Sequence, residues 1–233
     1  MSYLQGIDVS KHQGKNVDFK ATQSADMTFA FVKMTEGVGY IDPEFKNNWR
    51  KLVDLDGQYI RGVYHFARPD TVGGRIDGEN EARYMVRVLK SNGHWQEGCL
   101  PPALDYEKYC DSGPRENGEW VRGFVEVVEA ELGRTPIIYT GRNVWRYELG
   151  DTREFVRCPL WQVRYTKKPQ PVPMPWPTWT FWQWSGGKGK DFDHRFWMMA
   201  HGKMPGVASG YCDVNRFNGT KEALWELARL PTT

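Results

Sequence analysis

The run Pro101-Pro102-Ala103-Leu104-Asp105-Tyr106-Glu107 joins a short apolar segment to two carboxylates separated by one aromatic residue. In a strand, side chains two residues apart leave the same face, about 6.5–7 Å apart along the backbone. Asp105 and Glu107 are therefore expected to point together, with Tyr106 opposed. Such a pair suits cleavage of a glycosidic bond. A protonated carboxyl supplies the proton for the leaving oxygen, and an ionised one meets the positive charge that grows on the sugar. A lone Asp-x-Glu is more often a solvated strand end, so the rest of the chain must carry the reading.

Other polar residues recur where strand-like runs stop. The first run ends around Asp8, the second stops at Glu36, the third contains His65, and a late one contains Asp213. All are expected at or near C-terminal strand ends, the face that holds the active site in α/β barrels. Four or more acids on one rim suit a sugar-cleaving cleft. They also suit a divalent-metal site with Asp8, Asp105, Glu107 and Asp213 as oxygen ligands. A barrel that binds glycan without cutting it is the third alternative. Crowded carboxylates raise one another, and Glu starts higher than Asp, so the proton is assigned to Glu107 and the charge to Asp105.

The elements that would position these groups alternate along the chain. Strand-like runs cover residues 4–10, 28–34, 60–66, 101–107, 136–139, 159–163, 179–184 and 211–215. Helical patterns start at Asp42-Pro43-Glu44, with Asp as cap and Pro in the first turn, and cover 77–89, 116–132 and 220–230. The later strands have too little sequence between them for full helices. This order predicts an α/β fold, a parallel barrel or open sheet, with loops joining the last strands. The Pro-rich run 167–177 is read as a loop inside one domain.

Composition narrows the partners. A length of 233 residues suits one large domain, and a net charge of +2 with no basic run argues against nucleic acid. No stretch is long enough to span a membrane. Met1-Ser2 precedes the first strand without a basic, apolar leader, so the chain is expected to be made in a cytoplasm without a signal peptide. The cysteines at 99, 110, 158 and 212 lack paired metal spacing and are expected as free thiols. Trp49, Trp120 and Trp225 fall on apolar helix faces and belong to the core, whereas His12 and His201 are expected on the surface.

Eight short pieces then occur in one order: Gly6-Ile7-Asp8-Val9-Ser10, Lys33-Met34-Thr35-Glu36-Gly37, Gly62-Val63-Tyr64-His65-Phe66-Ala67, Leu104-Asp105-Tyr106-Glu107, Ile138-Tyr139-Thr140, Pro159-Leu160-Trp161, Phe181-Trp182-Gln183-Trp184-Ser185 and Cys212-Asp213-Val214-Asn215-Arg216-Phe217. Together they resemble the glycoside hydrolase family 25 lysozymes, which are N-acetylmuramidases, from residue 4 to about residue 219. The resemblance implies an irregular TIM-like barrel of five β/α units followed by three strands. It implies Glu107 as general acid, with Asp105, Asp8 and Asp213 as the other catalytic-groove acids. Asp105 would either attack the sugar or orient the substrate's acetamido group. Tyr64, Tyr139, Trp161 and Trp184 fall where the family places aromatics near sugar subsites, and Glu36 and His65 are further binding candidates.

The same resemblance implies action on bacterial peptidoglycan, at the β-1,4 bond between N-acetylmuramic acid and N-acetylglucosamine, with retention and without metal or cofactor. A monomer is expected, residues 1–233 forming one catalytic barrel without a separate wall-binding module. This points to a phage-type endolysin of an infected bacterium, reaching the wall after membrane permeabilisation. One departure stands out: relatives join the last two strands by a short loop, whereas here residues 186–210 intervene. They either cover one end of the groove or pack as an excursion against the barrel.

Overall fold

A computed structural model of the chain describes residues 3–55, 57–69, 74–93, 95, 97–187 and 194–230. Its strands are β1 (Leu4–Val9), β2 (Met27–Glu36), β3 (Tyr40–Ile41), β4 (Ile60–Phe66), β5 (Ala103–Asp105), β6 (Ile137–Thr140), β7 (Leu160–Val163), β8 (Phe181–Ser185) and β9 (Asp213–Phe217). Its α-helices are α1 (Phe19–Thr22), α2 (Phe45–Val53), α3 (Gly74–Asn92), α4 (Pro114–Leu132), α5 (Arg142–Leu149), α6 (Phe196–His201) and α7 (Lys221–Leu227). Hydrogen bonds run round the sheet in the order β1, β9, β8, β7, β6, β5, β4, β2, and β1 also pairs with β2. Eight strands thus close into a barrel, with β3 appended to β2. Helices α1 to α5 follow β1, β2–β3, β4, β5 and β6, and the last three barrel strands lack that regular alternation. This is the five-plus-three barrel expected from the sequence.

The closure depends on alternation along each strand. Phe29 and Phe31 of β2, Ala103 of β5, Ile137 of β6, Trp161 of β7, Phe181 of β8 and Phe217 of β9 fill the barrel interior. Their neighbours Ala30, Val32, Leu104, Ile138, Leu160, Trp182 and Val214 face the helix layer. The phenyl rings fit because β1 and β4 carry glycine opposite them. A Cβ on Gly6 or Gly62 would lie 2.5 Å from Phe29 or Phe31 ring carbons. Leu224 and Ala228, in and just after α7, join the interior cluster.

The helix layer is tightest where α3 meets α4. A Cβ on Gly78 would meet the Trp120 carbonyl oxygen at 2.0 Å, and one on Gly123 would meet that of Arg75 at 2.4 Å, so both positions need glycine. Trp120 stays dry there, its indole N–H donating to Asp77 at 2.8 Å. Pro114 begins α4, and Gly133, at φ +64°, ends it. Asp42 accepts the Glu44 N–H at 3.0 Å in a turn just ahead of α2.

Two differences from the sequence expectation have physical reasons. First, β9 runs antiparallel to both β8 and β1, so Asp213 opens its strand rather than closing it. It reaches the same rim because the strand is reversed. Second, α1, α5 and α6 are helices of four to eight residues, too short to show a helical period. Of the two placements expected for the inserted stretch, its described part takes the packed one. Trp197, Met198, Met204 and Val207 are buried with the outer core, and the Trp197 N–H donates to Ser185 at 3.0 Å. Among the described residues, none from 194 to 210 lines the cleft described below. Lys188, Lys190, Asp191 and Asp193 lie outside the described residues.

Candidate active site

The alternation that fills the barrel also builds its mouth. Asp8, Tyr64, Asp105, Tyr139, Trp161, Gln183 and Asp213 each sit two residues from an inward-facing neighbour, and all line one cleft of about 440 Å³. Glu107 lines it too, one alternation past the end of β5. The backbone keeps strand geometry there, since the Tyr106 N–H donates to the Tyr139 carbonyl at 2.9 Å. Tyr106 turns outward, fully buried, with its ring 5.8 Å from Trp120. The Asp105 and Glu107 side chains therefore share the cleft, as the Asp-x-Glu spacing predicts.

A hydrogen-bond relay fixes the floor. Trp161 donates its indole N–H to Asn215 Oδ1 at 2.8 Å, and Asn215 Nδ2 donates to Asp8 Oδ2 at 2.8 Å. Gln183 Nε2 donates to the same oxygen at 2.8 Å. The Tyr139 and Tyr165 hydroxyls donate to Gln183 Oε1 at 2.9 and 3.1 Å, which sets the orientation of the amide. Asp213 receives the Gly187 N–H at 2.8 Å. That approach needs glycine, because a Cβ at 187 would sit 2.5 Å from the Cys212 carbonyl carbon.

The acids are hard to ionise together. Burial pushes the Asp8 carboxyl up, partly opposed by hydrogen bonds from Asn215 and Gln183. Burial and then the Asp8 charge push Asp213 up to about 8. Burial first, then the Glu107 charge, lifts Asp105 well above the ordinary carboxylate range, while Lys33 opposes the rise. Glu107 is also raised, by burial and Asp8, with Lys33, Lys108 and the Tyr139 hydroxyl opposing. Asp105 is 7% exposed and its Oδ1 has no hydrogen-bond partner. Glu107 is the more exposed of the two. Burial raises both carboxyls and charged neighbours in the cleft add to it, so the pair resists losing its last proton.

Three sequence candidates lie elsewhere. His65 is fully buried between Thr35, 2.8 Å from Nδ1, and Glu81, 2.7 Å from Nε2, with its ring over Phe124 on the helix side. Its parity in β4 is opposite to that of Tyr64. Trp184 has the parity of Trp182, joins the outer core, and lies under the Arg216 guanidinium at 3.8 Å. Glu36 does not line the cleft. It pairs with Lys33 at 2.6 Å and with Arg68, and those partners outweigh burial and leave its carboxyl below the usual range.

Conversely, Gln183, Tyr165, Lys33, Ser10, Gln13 and the exposed His12 line the cleft. Gln183 follows Phe181 by two and Lys33 follows Phe31 by two, so parity would have selected both. Nothing in the chain near Tyr165 marks it in advance. All four cysteines are free. Among the described residues, no three His, Cys, Asp or Glu side chains are grouped to hold a metal ion.

Comparison with known proteins agrees with this geometry. The family described as glycosyl hydrolases family 25 matches residues 7–190. Lysozyme M1 of Streptomyces globisporus is 33% identical, over 97% of this chain and 72% of its own length. An N,O-diacetylmuramidase of a Chalaropsis species is 34% identical, over 66% of this chain and 73% of its own. The bacterial lysozyme of Streptomyces coelicolor superposes with a TM-score of 0.81 at 32% identity, covering 98% of both chains. With an eight-stranded barrel that gathers Asp8, Asp105, Glu107 and Asp213 at its mouth, the chain belongs to glycosyl hydrolases family 25.

Proposed function

We propose that Glu107 and Asp105 divide the chemistry of this glycoside hydrolase, a lysozyme that cleaves the β-1,4 bond between N-acetylmuramic acid and N-acetylglucosamine in peptidoglycan. The supporting observation is the convergence of both carboxyls in one cleft, one exposed to its opening and the other buried with an unpartnered oxygen. A buried acceptor without a donor calls for a substrate N–H. The acetamido group of the sugar supplies one. Asp105, once it accepts that N–H, is favoured as the anion and leaves the proton of the pair on Glu107.

Glu107 then protonates the departing glycosidic oxygen as the C1–O bond breaks, and the acetamido carbonyl oxygen closes on C1. Water opens that ring, yielding its proton to Glu107, and two displacements at C1 retain the configuration. Asp8, held by hydrogen bonds from Asn215 and Gln183, lines the same cleft beside the reacting pair. Tyr64, Tyr139 and Trp161 offer aromatic and hydroxyl surface to the sugar rings.

The bond is tested by mass spectrometry of borohydride-reduced digests. Reduced muramic acid at the new ends is expected, and reduced glucosamine would refute the assignment. Proton NMR of the first-formed anomer tests retention.

The endolysin role, action after membrane breach, the monomeric state and the single catalytic module extend the sequence resemblance. Among the described residues no helix is long and apolar enough to cross a membrane. Lysis of whole cells only after permeabilisation, and a light-scattering mass near 27.0 kDa, are the expected outcomes.

A further inference from the structure

A second pocket lies against the outside of the barrel wall beside the cleft. Trp161 and Gln162 are consecutive in β7, so they leave opposite faces: Trp161 enters the cleft, and Gln162 enters this pocket of about 220 Å³. Gln162 is 2% exposed, and its Oε1 is buried with no hydrogen-bond partner. A buried amide oxygen left unpaired is costly, so it marks a place where a donor is expected.

The rest of the lining supplies the opposite chemistry. The first turn of α5 opens onto the pocket at Gly141, Arg142 and Asn143, and no side chain caps that helix end. Its first N–H groups and the positive end of the helix therefore face the space. Arg142 and Arg164, both exposed, add two guanidinium groups, and neither is in an ion pair among the described residues. One buried acceptor stands among donors and cations.

We infer that this pocket is a subsite for the peptide branches of the wall. It would take a free carboxylate on the α5 N-terminus and the arginines, and the neighbouring amide N–H on Gln162 Oε1. An acylated amino acid offers both groups side by side, and the peptide carried by muramic acid contains such units. A bare inorganic anion would satisfy the donors and leave Gln162 Oε1 unpaired. The inference rests on the peptidoglycan reading of the cleft, because a glycan in the cleft brings its branches to this rim.

The test compares soluble glycan chains bearing free-acid peptides with the same chains stripped by an amidase. The double variant Arg142→Ala/Arg164→Ala should lose roughly tenfold in kcat/KM on the peptide-bearing chains, mainly through KM, and the loss should be absent on stripped chains. Gln162→Met should show a smaller loss, roughly threefold, with the same substrate dependence. Equal effects on both substrates, or none, would overturn the subsite. Turnover of neither substrate by the wild type would remove the cleft reading and the subsite with it. NMR titration of the wild type with N-acetylmuramoyl-L-alanyl-D-glutamate should shift the Asn143 amide and the Gln162 side-chain amide. The same shifts at the same concentrations of inorganic phosphate would show a general anion site and refute peptide recognition.

Discussion

Replacing Asp213 with Asn should stabilise the protein increasingly as pH rises above the ordinary carboxyl value of 3.8, and not below it. The carboxyl stands at about 8 against an ordinary 3.8, through burial and the neighbouring Asp8 charge. Below the ordinary value, folded and unfolded chains both hold the proton, and the group contributes nothing. As pH rises, the unfolded chain ionises first while the folded one keeps its proton, so folding stability falls until the folded value is passed. A difference of that size corresponds to roughly 6 kcal/mol against the folded state above pH 8. Part of the side chain faces the solvent of the cleft, and screening there reduces the expected figure to about 2 kcal/mol. Asn keeps an acceptor for the Gly187 N–H and carries no charge. Asp213→Asn should therefore match the wild type at pH 3 and exceed it by about 2 kcal/mol at pH 8.5, a Tm rise of roughly 4–8 °C. Calorimetry across that range measures it. A variant no more stable at pH 8.5, or one equally stabilised at pH 3, would refute the reasoning.

Lys33 lowers both Asp105 and Glu107. Lys33→Met should thus move both limbs of the pH–rate profile upward, by about one pH unit; limbs that stay fixed would show that its charge does not act there. His65→Ala leaves a buried gap and removes one partner of Glu81, which keeps only the Arg68 N–H, and should cost about 3 kcal/mol in urea unfolding, while kcat per folded molecule is kept. Trp184→Leu removes a buried ring from the outer core and its contact with Arg216, and should cost about 2 kcal/mol with KM for glycan unchanged. A raised KM with unchanged stability would return Trp184 to the sugar subsites.

The barrel was legible because its signals are local. Phe29, Phe31 and their neighbours alternate within one strand, and Asp105-Tyr106-Glu107 carries its geometry in its spacing. Glu36, His65 and Trp184 were chosen by residue type at a strand end, whereas side-chain direction decides what each touches. Period-two parity separates His65 from Tyr64 and Trp184 from Gln183. The reversed direction of β9 was not legible, because an antiparallel closing strand has the same local pattern as a parallel one. The different depths of Asp105 and Glu107 were hidden for another reason: depth in the cleft belongs to the assembled barrel.

The most direct measurement is turnover and glycan binding of Glu107→Gln on purified peptidoglycan, with folding confirmed by circular dichroism. The amide keeps the size and hydrogen bonding of the side chain but holds no proton to give. Glycan binding should persist and the cleavage rate should fall roughly a hundredfold or more. A folded Glu107→Gln enzyme that degrades walls at close to the wild-type rate would contradict the assignment of Glu107 as the acid.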